Sequence, residues 1–175
     1  MNKQVKIVIG SILGDGSLSP IAKGKQTSTI DISQSFKKLS YLRWLHMELG
    51  KEFKLNPIFK KKGFNVYRFS SKSNETLGEL RKLFYLDNRK IIPLNIKDLL
   101  NDPISLAVWY MDDGTLDNRE KYHFNASIAT YCFTFEECNY LTELLKDNFG
   151  LHASVNKSTM RGVTYPRIHI LSKSM

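Results

Sequence analysis

Val8 to Gly16 reads VIGSILGDG and Leu106 to Gly114 reads LAVWYMDDG: an apolar run of helical length, an acid and a glycine, twice, with Asp15 and Asp113 set 98 positions apart. An acid at the C-terminal end of a helix meets the negative end of the backbone dipole, so it is favoured there only when a cation offsets it. Gly10, Ser11 and Gly14 recur at three- and four-residue spacings, which leaves one face of the first helix nearly bare and open to another backbone. Ala107 offers a similar small site in the second copy. Two such helices packed side by side would bring Asp15 and Asp113 to a common place.

Outward from each motif the two halves keep the same order. Ser17 to Gln34 and Thr115 to Thr130 lack a helical period and are rich in Ser, Thr, Asn and short charged residues, which reads as a β-hairpin in each half. Amphipathic helices are expected next, over Leu39 to Lys54 and over Phe135 to Phe149, where Phe135, Cys138, Leu141, Leu145 and Phe149 share one face. Thr134 and Glu137 form a capping box, and Gly150 is a natural stop. Second hairpins follow, Leu55 to Ser71 and Leu151 to Ser172, the latter with Arg167 and His169 alternating with Ile168 and Ile170. Each unit is therefore helix, hairpin, helix, hairpin. The first half continues through a helix near Thr76 to Phe84 and a turn over Asn88 to Pro93. Met175 aligns with Asn74, so the second unit is expected to lack the last helix and any partner for Lys90. Asp102 as N-cap and Pro103 at the first helical position mark the restart, giving units 1–101 and 102–175 with no linker between them.

A chain of 175 residues can bury a full core, and its formal charge of +9 implies a polyanionic partner. No apolar run approaches the roughly 20 residues that span a bilayer, which sets a membrane aside, and no secretory signal opens the chain. Residues 1–101 carry 19 Lys and Arg against 8 Asp and Glu, whereas residues 102–175 carry 7 against 9; the first half is expected to supply most of the grip on phosphate. Cys132 and Cys138 lack a CxxC spacing and suggest a reducing compartment as small apolar fillers. Trp44 and Trp109 read as core, and the four histidines show no metal-ligand spacing. A pair of convergent acids on a basic chain suits metal-dependent phosphodiester hydrolysis, in which one or two cations activate water and stabilise the leaving oxygen.

These residues, above all Ser105 to Gly114 (SLAVWYMDDG), resemble the LAGLIDADG homing endonuclease family in its single-chain, two-motif branch, over nearly the whole chain. The resemblance implies an α+β fold: a pseudo-twofold pair of αββαββα-type units whose antiparallel sheets form a DNA-binding saddle around the two motif helices, the second unit being incomplete. It implies cleavage of both strands of a long double-stranded DNA site with Mg²⁺, Mn²⁺ being the substitute ion. By position the metal-binding acids fall on Asp15 and Asp113, with Gly14 and Asp112 beside them; Asp112 aligns with Gly14 and ranks behind the last acids. The resemblance also places a basic catalytic residue just before the Ile-Pro turn, which is Lys90, where an ammonium would polarise the site and orient water. A second such residue would fall beyond the second unit, with Lys157 and Lys173 as substitutes on charge alone.

DNA contacts are expected on the hairpins, since two-stranded ribbons fit the major groove. The candidates are Ser17, Ser19, Lys23, Lys25, Gln26, Ser28, Gln34, Lys60, Lys61, Lys62, Asn65 and Arg68 in the first half, and Arg119, Lys121, Asn125, Lys157, Arg161 and Arg167 in the second. The densest basic run, Lys60 to Lys62, sits where a hairpin tip would clamp phosphates. Two other functions use the same scaffold: an RNA maturase acting on its host intron, and a DNA-binding protein without chemistry. The Lys-, Ile-, Asn- and Ser-rich composition is that of an AT-rich coding genome, such as an organelle or a mobile intron. With both motifs on one chain, a monomer is the expected state.

Overall fold

In the computed structural model, which describes residues 1–119 and 123–174, the chain is a mixed α and β structure with two antiparallel sheets of matching order. The first helix, α1 (Lys3–Leu13), starts where the Asn2 side chain accepts the Val5 N–H at 2.9 Å. It carries Ile7, Val8, Ile9, Ile12 and Leu13 into the core, more apolar residues than one stripe holds, and so is enclosed on nearly all sides. β1 (Ser17–Leu18) and β2 (Ile30–Ser35) form the first hairpin around a long connection. In β2 the residues Ile30, Ile32 and Gln34 alternate inward, as the period of two requires.

Next, α2 (Leu39–Leu49) lays Leu42, Leu45 and Leu49 on the sheet. It stops at Gly50, five residues short of the expected Lys54, as residues 51–53 turn back to place Phe53 in the core. β3 (Phe59–Lys60) and β4 (Val66–Ser70) complete a sheet of order β1-β2-β4-β3. α3 (Glu75–Phe84), capped by Asn74, buries Leu77, Leu80 and Phe84. A small hairpin, β5 (Tyr85–Leu86) with β6 (Arg89–Lys90), and a short helix, α4 (Ile96–Leu99), then lead across the molecule.

The second motif helix, α5 (Pro103–Asp113), is started by Asp102, whose side chain accepts the Ile104 N–H at 2.9 Å. β7 (Gly114–Arg119) and β8 (His123–Ala129) pair from Gly114 opposite Ile128 to Arg119 opposite His123. α6 (Phe135–Phe149) carries both halves of the Thr134–Glu137 capping box and ends on Gly150 at φ 68°, the left-handed turn that glycine takes without strain. Of its expected apolar face, Cys138, Leu141 and Leu145 are buried with Leu144, while Phe135 stays exposed. β9 (Ala153–Met160) and β10 (Val163–Ile170) give the order β7-β8-β10-β9, the same arrangement as the first sheet. Trp109 is fully buried and Trp44 only partly. Among the described residues no helix is long and apolar enough to cross a membrane.

Candidate metal and nucleic-acid site

The two motif helices touch along their lengths because their small residues meet. A β-carbon placed on Gly10 would fall 2.3 Å from the Ser105 carbonyl oxygen and 2.9 Å from the Val108 β-carbon. Ser105, fully buried, is the small residue of the second helix at this crossing, and its hydroxyl donates to the Lys6 carbonyl at 2.8 Å. Ala107, expected in that role, faces outward instead. Lys6 and Asp102 pair at 2.6 Å near the other ends of the helices.

This contact brings the two C-terminal ends together. Gly14 packs on Asp112, where an added β-carbon would lie 2.5 Å from that of Asp112. The Asp15 N–H donates to Asp112 Oδ2 at 3.2 Å. Gln34, from the inward face of β2, donates through Nε2 to Asp15 Oδ2 at 2.8 Å and to Asp112 Oδ1 at 3.0 Å, so one amide ties the two motifs' acids. Lys90 Nζ donates to the Gly14 carbonyl at 2.7 Å. Lys38 Nζ does the matching job on the other helix, donating to the Met111 and Asp112 carbonyls at 2.7 and 2.8 Å. Gly14 and Asp112 are equivalent positions of the repeat, so each motif helix has a lysine on the same terminal carbonyl, where the dipole is negative.

Crowding of like charge sets the electrostatics. Burial, then the nearby Asp15 charge, push the Asp112 carboxyl up to about 7. The same two causes lift Asp113 to about 6, held back by Lys90 and Lys38. Burial lowers Lys90 from its ordinary value, against the pull of its anionic neighbours, and burial followed by the Asp112 charge raises Tyr41, whose hydroxyl donates to the Val108 carbonyl at 3.2 Å. Acids that resist ionisation in apposition suit a hard divalent cation with oxygen ligands. The Asp112 carboxylate is bonded at both oxygens, by Gln34 and by the Asp15 N–H, whereas Asp15 is bonded to Gln34 through Oδ2. Among the described residues no three His, Cys, Asp or Glu side chains form a ready cage, so water or substrate phosphate would complete such a cation's shell.

The other expected residues are spread over several places. Asn125, Lys157 and Arg167 line a concavity of about 570 Å³ on the second sheet with Thr115, Ser127 and His169; Arg167 donates to Ser127 Oγ at 3.1 Å and Thr115 Oγ1 at 3.2 Å. Exposed positions in loops and strand ends hold Ser17, Lys23, Lys25, Gln26, Lys60, Lys61, Lys62, Asn65 and Arg161, with Gln26 accepting from Lys82. Arg68 pairs with Asp31 across the first sheet and lies over the Phe59 ring. Two residues are not at the surface: Gln34, 4% exposed, belongs to the acids, and Ser28, 1% exposed, bonds to the Ser19 carbonyl at 2.7 Å in the β1–β2 connection. Ser19 is half-buried and its hydroxyl accepts the Thr29 N–H. Arg119 closes β7, and Lys121 lies outside the described residues. Lys157 and Lys173 line surface cavities on the second sheet; the second lysine at the motif ends is Lys38, which the sequence reading missed.

Residues 5–175 match the LAGLIDADG DNA endonuclease family. The chain belongs to that family. It is 27% identical over 190 aligned positions to the cytochrome b mRNA maturase bI2 of Saccharomyces cerevisiae, covering 98% of this chain but 42% of the maturase. Its fold superposes on the homing endonuclease I-WcaI bound to its DNA recognition sequence with a TM-score of 0.77 at 23% identity, covering 97% of this chain and 76% of that one. It also resembles I-DmoI, solved in complex with DNA and Mn, with a TM-score of 0.54 at 18% identity. The α+β architecture is thus that of LAGLIDADG proteins.

Proposed function

We propose that this LAGLIDADG protein is a divalent-metal-dependent endonuclease that hydrolyses both strands of a long double-stranded DNA site. The observation that carries the reading is the meeting of the two motif ends, where Gln34 joins Asp15 to Asp112 and Lys90 and Lys38 sit on equivalent carbonyls. Asp15 and Asp113 would hold Mg²⁺ or Mn²⁺, which supplies an activated water and charge neutralisation at the scissile phosphate. Gln34 fixes the rotamer of Asp15 through its amide. Lys90 and Lys38 place positive charge beside the position where a phosphorane and leaving oxygen would gain negative charge. Arg167 and Asn125, with the exposed lysines of the first hairpins, would read and grip the duplex, base edges by the former and phosphates by the latter.

A second reading, an RNA maturase, is favoured by one observation, the match to a cytochrome b mRNA maturase over almost the whole chain. The two separate on one experiment. Incubating the chain with Mg²⁺ and a plasmid library of long randomised sites should give cut molecules; binding to DNA without any cutting would leave a binding protein, and stimulated splicing of a host intron without cutting would favour the maturase.

A further inference from the structure

Lys90 reaches the Gly14 carbonyl from one of the shortest elements of the first unit. β5 and β6 pair only as Tyr85 with Lys90 and Leu86 with Arg89, and a two-stranded hairpin of that length is marginal in water by itself. The turn between them holds two non-glycine residues, Asp87 and Asn88, at positive φ of 47° and 64°, a region that few residues other than Gly, Asn and Asp enter readily. Lys38, which does the equivalent job on the other motif helix, stands at the start of the 11-residue helix α2 and is placed by it. The hairpin under Lys90 needs a brace.

That brace is Arg81. Its side chain leaves α3 and is 8% exposed, and the groups it meets are neutral. Nη1 donates to the Leu18 carbonyl at 2.9 Å, Nη2 donates to Asn88 Oδ1, and the guanidinium carbon lies 3.7 Å from the centroid of the Tyr85 ring. The Tyr85 hydroxyl accepts the Leu18 N–H at 3.0 Å, so Arg81 and Tyr85 together hold both backbone groups of Leu18. A buried cation among neutral partners gains little over an apolar side chain of the same size, whereas a planar guanidinium with its donors fixed in a fork sets geometry.

The two arms of the fork end on either side of the Lys90 contact. From Leu18 the chain runs back through Gly16 and Asp15 to the Gly14 carbonyl, and the Gly16 N–H stiffens this stretch by donating to the Ser11 carbonyl at 2.7 Å. From Asn88 the chain runs forward to Lys90, whose Nζ closes the path on the Gly14 carbonyl at 2.7 Å. The Ile91 N–H, on the Phe84 carbonyl at 2.9 Å, ties this stretch to the end of α3. We propose that Arg81 is a positioning residue, which fixes the hairpin carrying Lys90 against the segment carrying Asp15 and so holds the Lys90 ammonium at the end of the first motif helix. The role rests on Lys90 serving the proposed site, yet the placement of Lys90 can be measured without any cutting.

The full chain, folded and metal-free, is treated briefly with acetic anhydride, and acetylation of each lysine is read by mass spectrometry after digestion. Lys90 and Lys38 are both half-buried and both sit on a carbonyl, so Lys38 is the internal reference. Arg81→Met removes the charge and Arg81→Lys keeps it without the fork; each should raise Lys90 labelling by about fivefold or more and leave Lys38 as in the parent, because only the hairpin opens. Asn88→Gly keeps the positive φ, removes only the acceptor and lies at an exposed position. It should melt like the parent and still raise Lys90 labelling. In plasmid cutting, Arg81→Lys should slow the same strand as Lys90→Met, through kcat with KM for the DNA kept. Parent-like Lys90 labelling in all three variants, an equal rise at Lys38, or a rise in Arg81→Met alone, as loss of charge by itself would give, would each overturn the proposal.

Discussion

The two halves share strand order and motif, but the first is strongly basic and the second carries a slight excess of acid. The difference is informative at the motif ends. Both lysines that sit on terminal carbonyls, Lys90 on α1 and Lys38 on α5, come from the first half. The symmetry of the site is thus made from asymmetric sources: Lys90 acts on its own unit, whereas Lys38 reaches 74 residues along the chain to the other. The two motif ends present a matched pair of charges because the start of α2 borders both units.

The helix crossing on which that symmetry depends should be the most fragile point. Gly10→Ala drives a β-carbon to 2.3 Å from the Ser105 carbonyl oxygen, and backbone there has little room to yield, so a loss of about 3 kcal/mol is expected in denaturant unfolding. Ala107→Gly, at the outward position, should cost only about 1 kcal/mol, the helix-propensity difference. Comparable losses at the two positions would break the crossing as described.

Next in size is the pH response of the metal-free protein. Asp112 and Asp113 are raised in the fold, to about 7 and about 6, so between pH 4 and 7 the native state binds more protons than the unfolded chain. Stability is then greatest below the unfolded carboxyl range, falls as pH rises from there to the folded values, and levels off above them. Unfolding free energy should drop between about pH 4 and 7, by roughly 2 to 4 kcal/mol if Asp112 keeps most of its shift. Asp112→Asn should flatten that fall. A melt that rises over this range would refute the buried, like-charged environment.

The lysine pair gives a smaller and more discriminating effect. Lys90→Met and Lys38→Met should each slow cutting by about 10 to 100-fold, with each variant slowing a different strand, so nicked plasmid should accumulate in both. Equal slowing of both strands by one variant alone would make the site asymmetric. The mildest effect is on DNA grip. Replacing Lys60, Lys61 and Lys62 by Ala should lower the slope of log K against log salt by about 2 to 3, while Arg167→Ala should change it by no more than about 1 and alter base preference.

Most elements could be read from local signals. The Asp102–Pro103 start, the Thr134–Glu137 box and the Gly150 stop mark α5 and α6 to the residue, since caps are short-range chemistry. Gln34 was legible in part: the inward alternation of Ile30 and Ile32 places it on the buried side of β2. Lys38 carried no such signal, because its acceptors are fixed only when α2 packs beside α5. The choice of Ser105 over Ala107 at the crossing likewise depends on the rotation of one helix against another, which a run of small residues does not specify. Ser28 sits between strands as a polar residue of a long connection, and its burial follows from the β1–β2 loop folding against Asn74.

If the two motif ends form a single site, cutting needs both acids. The direct measurement is plasmid cleavage with Mg²⁺ by the intact chain and by Asp15→Asn and Asp113→Asn, each checked for an unchanged fold by circular dichroism. Cutting by the intact chain and loss of double-strand cutting in both variants are expected. Full double-strand cutting by either variant would contradict a single site.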